Sequence, residues 1–250
     1  MAKANTKRTD RKTESAQETF QPYVLQRPTS TFTEAFKILR TNVQFSLKLN
    51  QPRSLLITSS GAGEGKTTIS ANLAISFANA GFSTILIDTD MRIPTVHKEF
   101  SLSNEKGLSN YLNDEISWKK IIHKLSIDNL SVLSAGIIPP NSAELLSGPR
   151  MAELVKELQA EYKIAIFDSA PVNLVADTQI ISPLMDGVLV VVSSGSTRKG
   201  DIKKARESLQ YAKVIGYVIN MMFKNAESYY HYRYKNSYYS KSHPSIQDQD

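Results

Sequence analysis

A glycine-rich stretch, Ser59 to Thr68, constrains the fold of this 250-residue chain more than any other feature. The apolar run at 54–58 before it predicts a buried strand, and the run at 69–80 after it predicts a helix that ends at Gly81. Between a strand and a helix, glycines let backbone N–H groups converge on phosphate oxygens, and the helix N-terminus adds a partial positive charge. The stretch therefore predicts a loop that binds the phosphates of a nucleotide.

Two side chains at the predicted helix start, Lys66 and Thr67, carry the polar groups that such a loop needs. The lysine would reach the β- and γ-phosphates, and the threonine hydroxyl would bind Mg²⁺. Ser60 stands where the strict pattern has glycine, and the alternative is an ordinary glycine-rich turn. The residues of this loop that we expect to contact the nucleotide are Gly61, Gly63, Glu64, Gly65, Lys66, Thr67 and Thr68.

Composition narrows the class of protein. The chain has no cysteine, which excludes disulfides and thiolate metal sites and agrees with a reducing cytoplasm. Its four histidines are scattered without the spacing of zinc ligands. No apolar run approaches the roughly 18 residues that span a membrane, and the polar N-terminus does not resemble a secretion signal. The length fits one large α/β domain with tails.

The N-terminal part of the chain is basic and polar. Residues 1–25 have almost no large apolar side chains, so we expect a disordered tail there. Residues 1–12, with five basic side chains and one acidic one, carry +4 of the formal net charge of +6, and this segment is either a solvated leader or a segment attracted to an anionic membrane surface. Nucleic-acid binding would need a basic face on the folded body, which the sequence does not show, so no nucleic-acid partner is expected.

Between the tails, strand-length apolar runs alternate with helical patterns. Besides 54–58, the predicted strands cover 84–88, 131–134, 163–168, 187–192 and 213–220. Predicted helices lie around 118–124, 147–162, 178–185 and 199–211. Such an alternation indicates an α/β fold of the P-loop NTPase type, with a mainly parallel sheet and helices on both faces.

An amphipathic helix is predicted before the first strand, from 32 to about 48. Thr31 and Glu34 have the spacing of a capping box at its start. The polar face includes Glu34, Lys37 and Arg40. This face is either solvated or in contact with a neighbouring subunit, and spacing alone does not decide between the two.

Three acidic residues follow predicted strands: Asp88 and Asp90 come after one, and Asp168 after another. Because ligands of parallel sheets bind at the carboxyl ends of the strands, these carboxylates are expected near the phosphate loop. Asp168 fits the acid that holds Mg²⁺ in P-loop enzymes. The Asp88/Asp90 pair would hold metal-bound water and accept a proton from a hydroxyl. Each acid taken alone has the alternative role of a helix cap or turn residue.

A tyrosine-rich segment lies near the C-terminus, and we expect residues 225–250 to form a flexible tail. Six tyrosines fall between 229 and 239, with no aliphatic partners to form a core. The segment could stack on single-stranded nucleic acid, be a low-complexity tail, or present a cluster of phosphate acceptors. The candidate acceptors are Tyr229, Tyr230, Tyr232, Tyr234, Tyr238 and Tyr239.

From about residue 30 to 224, with the tyrosine tail in addition, the chain resembles the bacterial tyrosine kinases, specifically the separate cytoplasmic kinase chain of capsule and exopolysaccharide systems. The motifs that carry the resemblance are Ser59 to Thr68 (Walker A), Ile85 to Arg92 with Pro94 (Walker A′), Ile164 to Pro171 (Walker B), Glu34 to Asn42, and Pro139 to Leu146. Walker A alone is unspecific, whereas Walker A′ combined with the tyrosine cluster is highly specific.

The resemblance implies a kinase domain over residues 26–224, with ATP and Mg²⁺ as cofactors. Lys66 would contact the phosphates, while Thr67, Asp90 and Asp168 would hold the metal and its water shell. Asp88 would orient or deprotonate the tyrosine hydroxyl. Asn220, after the last predicted strand, is similar to the family's adenine-contacting asparagine. The catalytic residues implied are therefore Lys66, Asp88, Asp90 and Asp168.

The resemblance also implies partners. The tail tyrosines would be phosphorylated by a neighbouring subunit of a ring, an octamer in one form, with the helix carrying Glu34, Lys37 and Arg40 at the subunit interface. A membrane-embedded polysaccharide chain-length regulator would activate the kinase and recruit it to the inner face of the membrane. A cognate protein-tyrosine phosphatase and further protein substrates are expected as well. Three departures from the family pattern are Ala62 and Ser142, where proline is usual, and Lys37, where arginine is usual.

The main alternative is a partition or cell-division ATPase, a dimerising switch that hydrolyses ATP without phosphorylating protein. The phosphate loop of such switches has an additional lysine near its start. Residues 60–64 contain no lysine, and a switch has no use for a tyrosine-rich tail. The sequence therefore favours the kinase.

Overall fold

A computed structural model describes residues 22–27, 29–114 and 116–222. The expected tyrosine cluster at 229–239 and residues 1–21 of the expected N-terminal tail lie outside the described residues. The helices are α1 (Tyr23–Gln26), α2 (Thr31–Leu47), α3 (Lys66–Ala78), α4 (Val96–Glu99), α5 (Leu108–Leu112), α6 (Ser142–Ser147), α7 (Pro149–Glu161), α8 (Asp177–Ile181) and α9 (Lys199–Ser208). The strands are β1 (Arg53–Ser59), β2 (Thr84–Asp88), β3 (His123–Lys124), β4 (Leu130–Leu133), β5 (Ile164–Asp168), β6 (Gly187–Ser193) and β7 (Val214–Asn220).

In the described part of the chain, these strands form one seven-stranded sheet in the order β3-β4-β2-β5-β1-β6-β7. Every neighbouring pair is parallel except β3 and β4, which are antiparallel at one edge. Parallel neighbours need crossover connections, which the helices supply. The mainly parallel sheet predicted from the sequence is confirmed, with strand ends within about one residue of those expected.

Helices cover both faces of the sheet, as predicted. Side chains alternate between the faces of a strand, so Leu55 and Ile57 of β1 point to one side and Leu56 to the other. The first two pack with Phe77 of α3 and with α2, whereas Leu56 belongs to a second cluster that includes Leu154 of α7. Within residues 22–27, 29–114 and 116–222, no helix is long and apolar enough to cross a bilayer.

Helix α2 begins with a different cap from the one predicted. The side chain of Ser30 accepts a hydrogen bond from the Thr33 amide at 3.2 Å, so Ser30 is the N-cap. The capping box expected from Thr31 and Glu34 was wrong, because the Glu34 carboxylate pairs with Lys37 at 2.6 Å instead. The helix nevertheless has the predicted amphipathic character, with its apolar face packed on α3.

Residues 23–25, at the end of the range expected to be disordered, form part of helix α1. Val24 is buried, and its amide donates to the side-chain oxygen of Asn72 on α3 at 2.9 Å. Tyr23 lies against Phe32 with their ring centroids 5.0 Å apart. These contacts come from residues distant in sequence, so the polar composition of 1–25 did not reveal them.

The helix predicted around 118–124 was also wrong. The structure has only a 3₁₀ turn at Trp118–Lys120, followed by strand β3. Trp118 and Ile121, three residues apart, are both buried and satisfy the pattern that suggested a helix. His123 then pairs with Val132 of β4, and this pairing extends the sheet by one strand.

Helix α4, which was not predicted from the sequence, buries the carboxylate of Glu99 against the start of α3. Glu99 is 7% exposed, and its Oε2 atom has no hydrogen-bond partner. Burial, followed by the charge of Asp168, raises the pKa of Glu99 to about 7, and a hydrogen bond from Thr68 acts in the opposite direction. The protonated form is therefore favoured by folding, and stability is lost as the pH rises from the unfolded pKa towards 7.

We predict that Glu99→Gln makes the free energy of unfolding less dependent on pH and stabilises the chain by about 2 kcal/mol at pH 8, because the amide avoids the cost of a buried charge. Urea unfolding without nucleotide or Mg²⁺ at pH 5 and pH 8 would measure this, with the fluorescence of buried Trp118 as the probe. The matched control is Glu105→Gln at an exposed site. Parallel pH profiles for Glu99→Gln and the unmodified chain would contradict the prediction.

Candidate active site

The phosphate loop lies between β1 and α3, and two of its glycines have backbone angles that favour glycine. Gly63 has φ +74° and Gly65 has φ +86°. Gly65 also lacks space for a side chain, because a Cβ atom there would lie 2.2 Å from Nδ2 of Asn220. The predicted strand, loop and helix are therefore present, and α3 begins at Lys66.

The side chain of Glu64 is turned back onto the loop. Its Oε2 accepts hydrogen bonds from the amides of Ser60 at 2.8 Å and Gly61 at 3.1 Å. The hydroxyl of Ser60 donates to the same carboxylate at 2.8 Å, and Thr197, after β6, donates to Oε1. Serine in place of the glycine of the strict pattern thus adds a hydrogen bond that holds the loop. Any contact of Glu64 with a nucleotide would have to come from its backbone.

Lys66 forms ion pairs with carboxylates of the site. Its Nζ lies 3.0 Å from Asp90 Oδ2 and 3.7 Å from Asp168 Oδ2, and it donates to Thr67 Oγ1 at 3.2 Å. Burial alone would lower the pKa of Lys66, but Asp168 and Asp90 outweigh this effect and raise the pKa above its usual value. The lysine side chain therefore stays protonated and places a positive charge at the start of α3.

Asp168, at the end of β5, is bound to the first turn of α3. Its Oδ2 accepts from the Thr67 hydroxyl at 2.7 Å and its Oδ1 from the Ser70 hydroxyl at 2.8 Å. Thr95 brings a further hydroxyl to within 3.0 Å of Thr67 Oγ1. Burial raises the pKa of Asp168, and Lys66 and the two hydrogen bonds on α3 act against the shift.

Asp88 lies opposite Asp168 in the register of β2 and β5, and it is fully buried. Its Oδ2 accepts from the amides of Thr95 and Val96, each at 3.0 Å, and its Oδ1 accepts from the Asp90 amide at 3.1 Å. The carboxylate therefore holds the loop between β2 and α4. Burial, then the charge of Asp168, raises the pKa of Asp88 to about 8.

The same oxygens fit the chemistry of Mg²⁺. Carboxylate and hydroxyl oxygens are the ligands this ion prefers, and it usually keeps several waters with only one or two carboxylates. Oxygen ligands of this kind are present on Thr67, Asp90 and Asp168. All three side chains contact the positively charged Lys66 ammonium group. The described residues contain no group of three or more histidine, aspartate or glutamate side chains arranged to hold a metal by themselves. Phosphate and water oxygens would therefore have to complete the coordination.

Asn220, at the end of β7, is in contact with the loop. Its Nδ2 donates to the Glu64 carbonyl at 3.0 Å. The structure thus places this residue beside the phosphate loop, and the expected adenine contact stays a prediction. Two other predicted nucleotide contacts, Gly61 and Gly63, line a cleft on the outer side of the same loop, and Thr68 follows Thr67 in α3.

The residues predicted to lie at a subunit interface are on α2, away from these carboxylates. Glu34 and Lys37 form an exposed ion pair. Arg40 is only partly exposed, because its Nη1 donates to the carbonyl of Ser76 on α3 at 2.9 Å. Arg40 therefore binds its own chain, and the exposed charges available on this face are those of Glu34 and Lys37.

A second polar cluster beside the site was not anticipated. Arg92, two residues after Asp90, makes two hydrogen bonds to the buried carboxylate of Asp177, at 2.9 and 3.0 Å. Ser142 donates to the same carboxylate at 2.8 Å. The cluster joins the loop after β2 to the first residues of α6 and α8. One hint of this cluster is present in the sequence, which is that Arg92 lies within a recognised motif. Asp177 and Ser142 are far from Arg92 along the chain, so no local pattern connects them.

Comparisons with known proteins identify relatives of this chain. The model of the AAA_31 family, described as an AAA domain, matches residues 53–204. The putative tyrosine-protein kinase CapB of Staphylococcus aureus is 39% identical over 84% of this chain and 94% of its own length. The tyrosine-protein kinase YwqD of Bacillus subtilis is 42% identical over 82% of this chain and 87% of its own length.

Solved structures show the same relationship. The chimerical protein CapA2B2 superposes with a TM-score of 0.77 at 38% identity, over 81% of this chain and 90% of that one. The septum site-determining protein MinD of Pyrococcus horikoshii, complexed with Mg-ADP, has a TM-score of 0.59 at 19% identity over 68% of this chain, which is a likeness of fold alone. On its sequence, its fold and the arrangement of its phosphate loop and strand-end acids, the chain belongs to the family of bacterial tyrosine kinases.

Proposed function

We propose that this chain transfers the γ-phosphoryl group of ATP to tyrosines of its own C-terminal cluster, between subunits, and so regulates the polymerisation and export of a capsular polysaccharide or exopolysaccharide. The observation that carries the proposal is the convergence of three strand-end carboxylates on the phosphate loop, in a chain that also has six closely spaced tyrosines. The relative CapB is named a putative tyrosine-protein kinase, and the relative YwqD is named a tyrosine-protein kinase.

In the proposed reaction, a phenolic oxygen of the acceptor attacks the γ-phosphorus, and the bond from that phosphorus to the bridging oxygen of the β-phosphate breaks. ADP leaves with the electron pair of that bond, and the phenolic proton passes to a carboxylate. Phosphoryl transfer depends mostly on positioning and charge neutralisation rather than on covalent catalysis. The phosphates would be positioned, and their charge partly neutralised, by the loop amides between Gly61 and Gly65 and by the N-terminus of α3.

Lys66 changes partners in this proposal. In the structure its ammonium neutralises Asp90 and Asp168. With nucleotide bound, it would turn to the β- and γ-phosphates, while Thr67, Asp90 and Asp168 would hold Mg²⁺. A metal held there would neutralise part of the phosphate charge. Thr67 and Asp168 already lie together, because the threonine hydroxyl donates to the aspartate carboxylate.

Asp88 is the proposed proton acceptor. A base is most efficient when its pKa is near the operating pH, and the raised pKa of Asp88 meets that condition. Its carboxylate is fully buried beneath the loop that runs from Asp90 to Val96. An acceptor hydroxyl would therefore reach Asp88 only after this loop moves, and we propose that binding of the acceptor or of an activating partner supplies that movement.

The proposed partners follow from the family. A membrane-embedded polysaccharide chain-length regulator would activate the kinase and bring it from the cytoplasm to the inner face of the membrane. The exposed Glu34 and Lys37 of α2 would take part in a ring of like subunits, an octamer in its full form. A tyrosine phosphatase would reverse the modification, and other proteins would serve as further substrates. The kinase domain would span 26–224, which contains the matched AAA domain.

We predict that the full chain, incubated with ATP, Mg²⁺ and the cytoplasmic segment of its activator, becomes labelled at Tyr229 to Tyr239. Replacement of all six tail tyrosines by phenylalanine should remove the label and leave nucleotide affinity within about twofold, because the tail is the acceptor and does not hold the nucleotide. Phosphosite mapping and fluorescent-nucleotide titration are the measurements. ATP hydrolysis without any phosphotyrosine would favour a switch ATPase of the MinD type over the kinase.

We further predict that Lys66→Met lowers labelling by at least about a thousandfold, because the phosphates lose their counter-charge during transfer. Lys98→Met is the control, since that lysine has no ion pair among those found in the described part of the chain. In a mixture, an active chain without its tail should label the Lys66→Met chain. If the Lys66→Met chain stays unlabelled in the mixture, although the unmodified chain labels itself, transfer runs within one chain.

A further inference from the structure

Asp90 lies beyond the part of the chain that the sheet holds in place. The parallel ladder between β2 and β5 ends at the pair Asp88 and Asp168. Thr89 is still attached to this end of the sheet, because its amide and its hydroxyl donate to the Asp168 carbonyl at 2.8 and 2.7 Å. From Asp90 to Thr95 the backbone is irregular. The position of the Asp90 carboxylate therefore depends on contacts that the side chains of this loop make.

Some of these contacts lie within the loop and its own core packing. Oδ1 of Asp90 accepts from the Ile93 amide at 3.0 Å, which orients the carboxylate relative to its own loop. Met91 is fully buried in the core and holds the backbone near it. Apolar packing is not directional, so it does not by itself set where the loop presents its polar groups. A directed contact to another segment is needed for that.

Arg92 makes such a contact. Its Nε and Nη2 atoms donate to the two oxygens of the Asp177 carboxylate, at 3.0 and 2.9 Å. A pair of parallel N–H···O bonds fixes the angle between two groups as well as their distance. Asp177 is the first residue of α8, so the fork joins the loop after β2 to the segment that follows β5.

The carboxylate that Arg92 binds is itself held firmly. Asp177 is 1% exposed, and Ser142, the first residue of α6, donates to its Oδ2 at 2.8 Å. The next residue, Thr178, is also buried and donates to the carbonyl of Ala170 at 2.6 Å. The start of α8 is therefore fixed to the chain immediately after β5. Stability alone does not account for the ion pair, because apolar residues in place of a buried pair often stabilise a fold equally well.

We propose that Arg92 is a positioning residue for the phosphoryl transfer: its fork on Asp177 fixes Asp90 relative to Asp168 and so sets the affinity of the two carboxylates for Mg²⁺. Arg92 would act through Asp90 and would touch neither the nucleotide nor the acceptor. Ser142, where proline is usual in the family, supports the same fork with one more hydrogen bond. This inference rests on the proposed function and adds a residue that tunes its metal site.

The charge of Arg92 would have the opposite effect on metal binding. The hydrogen bond to Asp177, and after it the charges of Asp177 and Asp90, raise the pKa of Arg92, so its positive charge acts at Asp90. A cation beside a metal ligand repels Mg²⁺, and its removal would then tighten binding of the metal. If Arg92 acts by position, its removal weakens that binding. The sign of the change therefore separates the two roles.

The test measures binding of a fluorescent ADP analogue to the full chain, in EDTA and over a range of Mg²⁺ concentrations. Arg92→Ala should raise the Mg²⁺ concentration for half-maximal binding by at least about fivefold, while the affinity for the analogue in EDTA changes by less than about twofold. Arg92→Lys keeps the charge and loses the fork, so its Mg²⁺ requirement should stay at least about twofold above that of the unmodified chain.

A second variant separates position from stability. Arg92→Ala leaves the Asp177 carboxylate buried without its cation, and we expect a Tm lower by about 5 °C or more. Arg92→Ala/Asp177→Asn also removes that charge, and the Ser142 hydroxyl is able to accept a hydrogen bond from the amide. The double variant should recover most of the lost Tm but keep the raised Mg²⁺ requirement. Thermal unfolding without nucleotide or Mg²⁺ measures the first, and the titration of the ADP analogue measures the second.

The matched control is the ion pair of Arg53 and Asp186, which lies at 3.0 Å beside the first residues of β1 and β6, at the end of these strands opposite to the site. Arg53→Ala/Asp186→Asn should leave the Mg²⁺ requirement unchanged. An unchanged or lower Mg²⁺ requirement in Arg92→Ala/Asp177→Asn would overturn the inference, and so would full rescue by Arg92→Lys or an equal loss of affinity in EDTA. If the unmodified chain binds Mg²⁺ and ADP together but labels no tyrosine, the proposed function fails, and the Mg²⁺ titrations still decide whether Arg92 positions Asp90.

Discussion

The carboxylate of Asp168 joins the end of β5 to the first turn of α3, and the geometry of the whole site depends on this connection. Its two oxygens accept from Thr67 and Ser70, and its charge is shared with Lys66. Because Asp88 and Asp168 face each other in neighbouring strands, the same register that builds the sheet also brings two buried carboxylates together. Burial and, after it, neighbouring carboxylates raise the pKa of both acids, and the Lys66 ammonium supplies a counter-charge.

This charge balance explains why one lysine can serve two purposes. In the structure, Lys66 is a counter-charge for Asp90 and Asp168. In the reaction that we propose, a divalent cation would neutralise these carboxylates and leave the lysine free to bind the phosphates. Binding of the metal and of the nucleotide would then be coupled. Glu99 is a further buried acid near Asp168, and its raised pKa reflects its burial and the charge of Asp168.

The parts of the fold that the sequence predicted are those specified by local pattern. Apolar strands, the helix after the phosphate loop and the strand-end positions of Asp88, Asp90 and Asp168 all follow from short-range rules, and parallel strand ends bring those acids together. The contacts that were missed join distant segments. Arg92 with Asp177, Glu64 with Thr197, and Val24 with Asn72 are each separated by tens of residues, and no periodicity marks them. Trp118 and Ile121 led to the wrong prediction of a helix, because two buried residues three positions apart fit a 3₁₀ turn as well as an α-helix.

One contact of strand β7 bears on how an acceptor tyrosine would be presented in the proposed reaction. Asn220 binds the phosphate loop, which fixes the end of β7 beside the residues that would hold the phosphates. In a ring of subunits such as we propose, a tyrosine tethered to that end would meet a neighbouring site at an effective concentration of the order of millimolar. Recognition of the acceptor could then be weak, and each product tyrosine could leave quickly and be replaced by the next. Several tyrosines on one short segment would suit an enzyme that adds several phosphates rather than one that selects a single site.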